Sequence, residues 1–287
     1  MRLRDRVAIV TGASEGLGRE IAAHYVREGA SVLLVARRAE PLLRTREELT
    51  RLAGAPGQRV EAMMGDVASP EDCRAVSARV VVLFGGLDVL VNNAGVYGPM
   101  GRTEDVDWGD WELALRVNLF GTVLMCRAVL PLLRKRGYGK IITLSGGGAT
   151  APLPFISAYA ASKAAVVRFT ETLAHELSST HIDVNAIAPG ALNTRLLDQV
   201  LEAGPGRVGE EFYRRAVRQR DEGGAPLQKG AELAVFLASR ESDGITGRLL
   251  SAVWDDWRAL PALRERLTGS DVFTLRRIVP QDRRWEQ

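Results

Sequence analysis

Tyr159 and Lys163 stand four residues apart in the apolar-periodic segment from Phe155 to Leu177, which reads as one long helix, so a phenol and an ammonium share one face. An unperturbed phenol has a pKa of about 10, so work as an acid or base at neutral pH needs roughly three units of help, about 4 kcal/mol. One positive charge at about 4 Å in a partly desolvated site supplies energy of that order. The pair is a candidate proton donor and acceptor. Its meaning depends on what else the chain brings to the same place.

An anion-binding candidate lies near the N-terminus. Val7 to Thr11 is a short apolar run leading into TGASEGLG at 11–18, then into the helical pattern Arg19 to Glu28, which Gly29 closes. In a strand, turn and helix of this kind, Gly12, Gly16 and Gly18 permit a tight turn, close approach to a pyrophosphate, and close helix packing. The second strand, Ser31 to Ala36, ends at Arg37 and Arg38. An acidic side chain at that point would accept from ribose hydroxyls, whereas arginine suits a 2′-phosphate, so the charge favours NADP over NAD. Glu15 in the phosphate turn counts against a second phosphate nearby and keeps NAD possible. A solvated charge pair at a helix start is the plainer alternative.

Further polar residues fall at strand ends or interrupt helices. Asp66 follows the third strand, Val60 to Met64, where it could meet an adenine amino group or simply cap a loop. Asn92-Asn93-Ala94-Gly95 follows the fourth, Leu87 to Val91; the amides either bridge neighbouring loops or contact a cofactor. Asn118 interrupts the long helical pattern Trp111 to Arg136, as a kink that frees a carbonyl or as a satisfied core group. Ser145 ends the fifth strand, Lys140 to Ser145, and three glycines follow it. Pro189-Gly190 breaks the sixth, Ile182 to Ala188, and Thr194 beyond it either bonds a carboxamide or caps a helix.

Helices at Pro41 to Leu52, Ala75 to Phe84 and Lys229 to Ser239, with a last strand at Gly247 to Val253, complete the alternation. The pattern predicts an α/β fold, a single doubly wound Rossmann-type domain with a seven-stranded parallel sheet over residues 1–251, its motifs gathered at the strands' carboxyl edge. Residues 195–228 form a charge-mixed helical excursion suited to a lid. A C-terminal extension at 252–287 carries Trp254, Trp257, Leu260, Leu263 and Leu267. It either covers a site, its own or a neighbouring subunit's, or, on the plainer reading, packs on the body or makes an oligomer contact.

Composition sets bounds on the partners. The net charge of +3 comes from dispersed basic residues, which argues against nucleic acid. The 2 cysteines, Cys73 and Cys126, make neither a disulfide framework nor a zinc site, and His24, His175 and His181 are too scattered to hold a metal. The polar start, Met1 to Arg6, and the lack of an apolar run of about 18 residues lead to the expectation of a cytoplasmic protein with no membrane partner.

Together, TGASEGLG, Asp66-Val67, NNAG at 92–95, Asn118, the serine ending strand five, Tyr159-x-x-x-Lys163, and Pro189-Gly190 with Thr194 resemble the classical short-chain dehydrogenase/reductase family over about Asp5 to Ser251. The resemblance implies an oxidoreductase acting on a small-molecule ketone or secondary alcohol. Tyr159 would be general acid or base, and Lys163 would lower the phenol's pKa and hold the nicotinamide ribose. Ser145 would orient the substrate oxygen, and Asn118 would support a water. Cofactor positions would be Gly12, Ser14, Glu15, Gly16, Leu17, Gly18, Arg37, Arg38, Asp66, Val67, Asn93, Ala94, Gly95, Tyr159, Lys163, Pro189, Gly190, Leu192 and Thr194.

The family commonly assembles as homodimers or homotetramers. It places its serine thirteen residues before the tyrosine, where this chain has Gly146; a triglycine loop with one extra residue would let Ser145 reach the site. A non-catalytic dinucleotide sensor or scaffold is the rival reading, and an interaction platform using the tail is a third.

Overall fold

Seven parallel strands form one sheet in the computed structural model, which describes residues 1–285. They are β1 Val7–Thr11, β2 Ser31–Ala36, β3 Val60–Met64, β4 Val89–Asn92, β5 Gly139–Leu144, β6 Ile182–Ala188 and β7 Leu249–Ser251, in the order β3-β2-β1-β4-β5-β6-β7. The chain winds outward from β1 to β3 and then returns to lay β4 on the other side of β1. That reversal opens a crevice at the carboxyl ends of β1 and β4.

Both faces of the sheet are covered, which is why β1 and β2 read as apolar runs. On one face α1 (Gly16–Arg27), α2 (Ala39–Thr50) and α10 (Leu227–Ala238) bury Ile21, Tyr25, Leu42 and Phe236. On the other, α3 (Pro70–Phe84), α5 (Gly121–Arg136) and α6 (Ser157–Glu176) bury Val76, Val80, Met125, Val129 and Leu173. The predicted doubly wound α/β architecture is present.

Helix boundaries differ from the sequence reading for local reasons. Helix α3 begins at Pro70 and not Ala75, because the Ser69 hydroxyl accepts from the Asp72 amide at 3.1 Å and Pro70 fits the first turn. Those polar first residues are invisible to an apolar period. The long helix begins at Trp108, capped by Asp107, and comprises α4 (Trp108–Leu115), a π-helical turn (Arg116–Phe120) and α5. Contrary to expectation, this 29-residue stretch is apolar and long enough by composition to cross a membrane. Here its inner side is buried against the sheet and neighbouring helices.

The excursion after β6 folds as α7 (Arg195–Ala203), α8 (Pro205–Val208) and α9 (Glu210–Glu222), packed around Leu197, Val200, Val208 and Ala216 as a small core of their own. The tail returns to the body. Trp257 and Leu260 join the main core, and the Leu249 amide donates to the Phe273 carbonyl at 2.8 Å, so tail backbone covers the free edge of β7. The buried Arg248 guanidinium donates to the carbonyls of Ser270 (2.9 Å), Val272 (2.6 Å) and Leu267, while Glu171 accepts from the Leu275 amide at 2.6 Å. The extension as read from the sequence ends at 287, and its last two positions lie outside the described residues.

A hydrogen bond to a charged group contributes about 1.5–3 kcal/mol, and Arg248 makes several. Arg248→Met should therefore lower unfolding free energy in urea by about 3 kcal/mol and make residues 268–279 sensitive to protease. Unchanged stability and protection would mean the guanidinium does not hold the tail.

Candidate active site

The glycine turn is built against the loop after β4. Thr11 Oγ1 accepts from the backbone amides of Asn93 (3.0 Å) and Ala94 (3.1 Å), and Asn93 Nδ2 donates to the carbonyls of Thr11 (2.9 Å) and Gly12 (3.1 Å). Asn93 thus bridges two loops, one of the two roles its type allowed. A Cβ on Gly12 would lie 2.9 Å from the Ala94 backbone, and one on Gly18 only 2.3 Å from the Gly12 carbonyl oxygen. Gly12 and Gly16 also adopt positive φ, at 63° and 57°. The result is a close-packed cradle at the N-terminus of α1, whose first amides have no side-chain cap. Such a cradle fits a pyrophosphate.

At the end of β2 the two arginines have separate environments. Arg38 donates to Glu15 at 2.6 Å, and Glu15 lies 3.8 Å from Arg195. Among the described residues Arg37 has no ion pair. The Asp66 carboxylate accepts from the Ala68 amide at 2.9 Å, which makes it a loop cap, with Val67 beside it packed beneath Gly121. Thr194 precedes α7 without a side-chain capping bond, and its methyl would lie 3.5 Å from a Cβ on Gly16.

The first turn of α6 carries Tyr159, and three contacts fix that helix. Trp111 Nε1 donates to Ser157 Oγ at 3.1 Å, Ser162 Oγ donates to the Tyr159 carbonyl at 2.8 Å, and Asn118 Nδ2 donates to Ser162 Oγ at 2.9 Å. Asn118 is fully buried in the π turn; its side chain also holds Val96, accepting from its amide at 2.8 Å and donating to its carbonyl at 2.9 Å. Its own carbonyl accepts from Thr122 Oγ1 at 2.8 Å. Kink and satisfied polar group therefore coexist.

Lys163 Nζ donates to the Leu144 carbonyl at 2.7 Å and stands 5.6 Å from the centre of the Tyr159 ring. Burial lowers the ammonium to about 8, which still leaves it mostly charged at neutral pH. Burial first, and the neighbouring Tyr97 phenol second, push the Tyr159 phenol well above its ordinary value. Desolvation therefore favours the protonated phenol in this arrangement.

Gly146 stands directly against the phenol. A Cβ on Gly146 would lie 2.1 Å from the Tyr159 hydroxyl oxygen, so Gly146 is the residue facing it. Ser145 Oγ is buried with no hydrogen-bond partner among the described residues, while its amide still donates to the Ile187 carbonyl at 2.8 Å in continuation of the strand pairing. Gly146, thirteen residues before Tyr159, thus stands next to the phenol, and Ser145 also borders the cleft.

These elements meet in one cleft of about 1620 Å³, larger than a typical site for a drug-sized ligand. Every predicted site residue lines it except Gly18 and Asn118, which act from behind its wall. Sequence reasoning missed Tyr97, whose ring meets that of Tyr159 edge-on with centroids 4.6 Å apart; the exposed Trp254 of the tail also borders the cleft. Tyr97 lies in a loop without periodicity, and only its place two residues after Gly95 marks it. Among the described residues no group of three or more His, Cys, Asp or Glu is arranged to hold a metal.

Comparison with known proteins gives the same outline. The family model described as short chain dehydrogenase matches residues 6–204. Dehydrogenase/reductase SDR family member 4 of Sus scrofa is 36% identical over 245 residues, covering 85% of each chain. NAD+-bound xylitol dehydrogenase superposes with a TM-score of 0.80 at 26% identity, over 88% of this chain and 98% of that one. A substituted actinorhodin polyketide ketoreductase with NADPH gives 0.77 at 32%, over 86% and 95%.

Proposed function

The chain belongs to the short-chain dehydrogenase/reductase family, and on that premise we propose that it moves hydride between NADP(H) and a ketone or secondary alcohol, with Tyr159 as proton donor and acceptor. NAD(P)-dependent oxidoreduction comes with the family. Relatives of similar fold carry NAD+ in one case and NADPH in another, so the choice rests on the chain's own side chains.

Arg37 carries that choice. It lines the cleft where β2 ends and has no ion pair among the described residues, so its guanidinium is available to a 2′-phosphate. Glu15, which counted against a phosphate here, is paired with Arg38 and lies near Arg195, and its charge is offset. The turn from Gly12 to Leu17 would hold the pyrophosphate, and the cleft floor near Gly95 and Gly190 would admit the nicotinamide half. When bound, the dinucleotide supplies or accepts the hydride.

The protein's own work is placement and proton transfer. In reduction the Tyr159 phenol gives its proton to the substrate oxygen as the carbinol forms; in oxidation the phenolate takes it back. Lys163 offsets the charge that appears on the phenol, and Asn118 fixes both the Val96 loop and, through Ser162, the first turn of α6. The helices at 195–228 would close over the substrate as a lid.

Titration with NADPH and NADH tests the cofactor reading, followed by cyclohexanone, acetophenone and 1-phenylpropane-1,2-dione as ketones, with loss of reduced-cofactor absorbance as the signal. Arg37→Asp should weaken NADPH about tenfold or more, the worth of one charge-assisted hydrogen bond, and change NADH less than about twofold. An equal effect on both would remove Arg37 from the phosphate. Binding without any turnover would favour the sensor reading.

A further inference from the structure

A carbonyl oxygen on its way to an alkoxide gains charge that one proton donor does not fully satisfy, and a second fixed donor stabilises that charge. The wall facing the Tyr159 phenol supplies no such group, because Gly146 stands there and a Cβ at that position would lie 2.1 Å from the phenol oxygen. Ser145 Oγ is enclosed. Ser162 Oγ is committed to the Tyr159 carbonyl at 2.8 Å and to Asn118 Nδ2 at 2.9 Å.

A second phenol ring lies against that of Tyr159. Tyr97 lines the same cleft, its ring set at 69° to that of Tyr159 with centroids 4.6 Å apart. Among the described residues no group hydrogen-bonds its hydroxyl, so that donor is free for a ligand. Burial keeps it protonated by raising it above the ordinary phenol value. Its backbone is held in place as well: Asn118 grips Val96, the residue before it, by amide and carbonyl at 2.8 and 2.9 Å. On the far side its ring packs against the lid core of Leu197, Val200, Val208 and Ala216.

We propose that Tyr97 is a second catalytic hydroxyl of this site, donating a hydrogen bond to the substrate oxygen in the role that Gly146 leaves without a side chain. The assignment rests on the reading of Tyr159 as the proton donor. It also gives Asn118 a positioning role: one side chain reaches the Tyr97 loop directly and α6 through Ser162, so the two phenols are held by one fixed amide. The lid contact makes the Tyr97 hydroxyl responsive to whatever substrate the lid closes upon.

The test uses the full chain, NADPH and the three ketones named above, comparing Tyr97→Phe, Ser145→Ala and Tyr159→Phe. Phenylalanine at 97 keeps the ring, its edge contact and its packing on the lid, and removes the hydroxyl alone. A donor to a developing anion contributes about 1.5–3 kcal/mol, so kcat should fall roughly tenfold to a hundredfold. NADPH affinity and Tm should stay unchanged, and KM should move less than kcat, because the bond strengthens as charge develops. Unaltered kcat in Tyr97→Phe, with Tyr159→Phe inactive, would overturn the role of Tyr97 and leave the reaction class standing. So would a loss in Ser145→Ala alone, which would return the role to Ser145. Full turnover by Tyr159→Phe, or no turnover of any ketone by the unaltered protein, would remove the underlying reading and Tyr97 with it.

Discussion

Tyr159→Phe should lower kcat by about 10³-fold with any ketone that the unaltered protein reduces, while the Kd for NADPH changes less than about threefold. Positioned general acids contribute roughly 10² to 10⁴ in rate, and here no neighbouring residue is placed to take over. Ser145 Oγ is enclosed, Gly146 has no side chain, and Lys163 Nζ points to the Leu144 carbonyl. The Tyr97 phenol is near, but its ring meets that of Tyr159 edge-on and its proposed part is a hydrogen bond to the substrate oxygen, not delivery of the proton. Phenylalanine preserves the ring against Tyr97 and the packing of α6, so a loss of fold is not expected.

The pH dependence should show the same asymmetry. Because burial raises the Tyr159 phenol, it is protonated throughout the neutral range, ready for reduction. Alcohol oxidation needs the phenolate and should rise with pH in the unaltered protein, whereas reduction should not. The phenylalanine variant should show no such rise. Undiminished turnover in the variant would show that the proton comes from elsewhere.

Much of this site was legible because parallel strands covered on both faces cannot hide. The runs Val7–Thr11, Ser31–Ala36, Val60–Met64 and Ile182–Ala188 have the same ends in sequence and structure, since each apolar run is bounded by the residue that leaves the sheet. The glycine turn and the Tyr159 helix follow from them. Less was legible where geometry depends on backbone bonding. The edge pairing of Leu249 with Phe273 is an amide meeting a carbonyl, which no side-chain pattern encodes. The π turn left a single trace, Asn118 within an apolar helix, and that residue type alone did not separate a kink from a buried polar group. Counting back from Tyr159 raised the question of Ser145 against Gly146 without answering it, because distance along the chain does not say which way a residue faces.

The facing direction makes Gly146→Ala the sharper test of the site. The two glycines after Ser145 are neighbours in sequence, and neither has positive φ, so backbone strain is not at stake for either. Their surroundings differ. A Cβ on Gly147 would find nothing nearer than Leu153 at 3.7 Å, an ordinary contact, whereas a Cβ on Gly146 would meet the Tyr159 oxygen at 2.1 Å and its ring carbon at 2.9 Å. A phenol is rigid beyond its two torsions, and Tyr97 and α6 confine the ring, so the oxygen would have to retreat by roughly 1 Å. Misplacement of that size in a reacting group costs about 10² in rate or more. Gly146→Ala should therefore reduce kcat by about 10²- to 10³-fold without changing NADPH affinity, and Gly147→Ala should keep near-full activity, with Tm equal or slightly raised as the unfolded chain loses freedom. The comparison requires only kcat, Kd and Tm for the two variants. Equal activity in both would place the phenol oxygen away from Gly146, and the cleft would then have room there for the hydroxyl that the family's serine supplies.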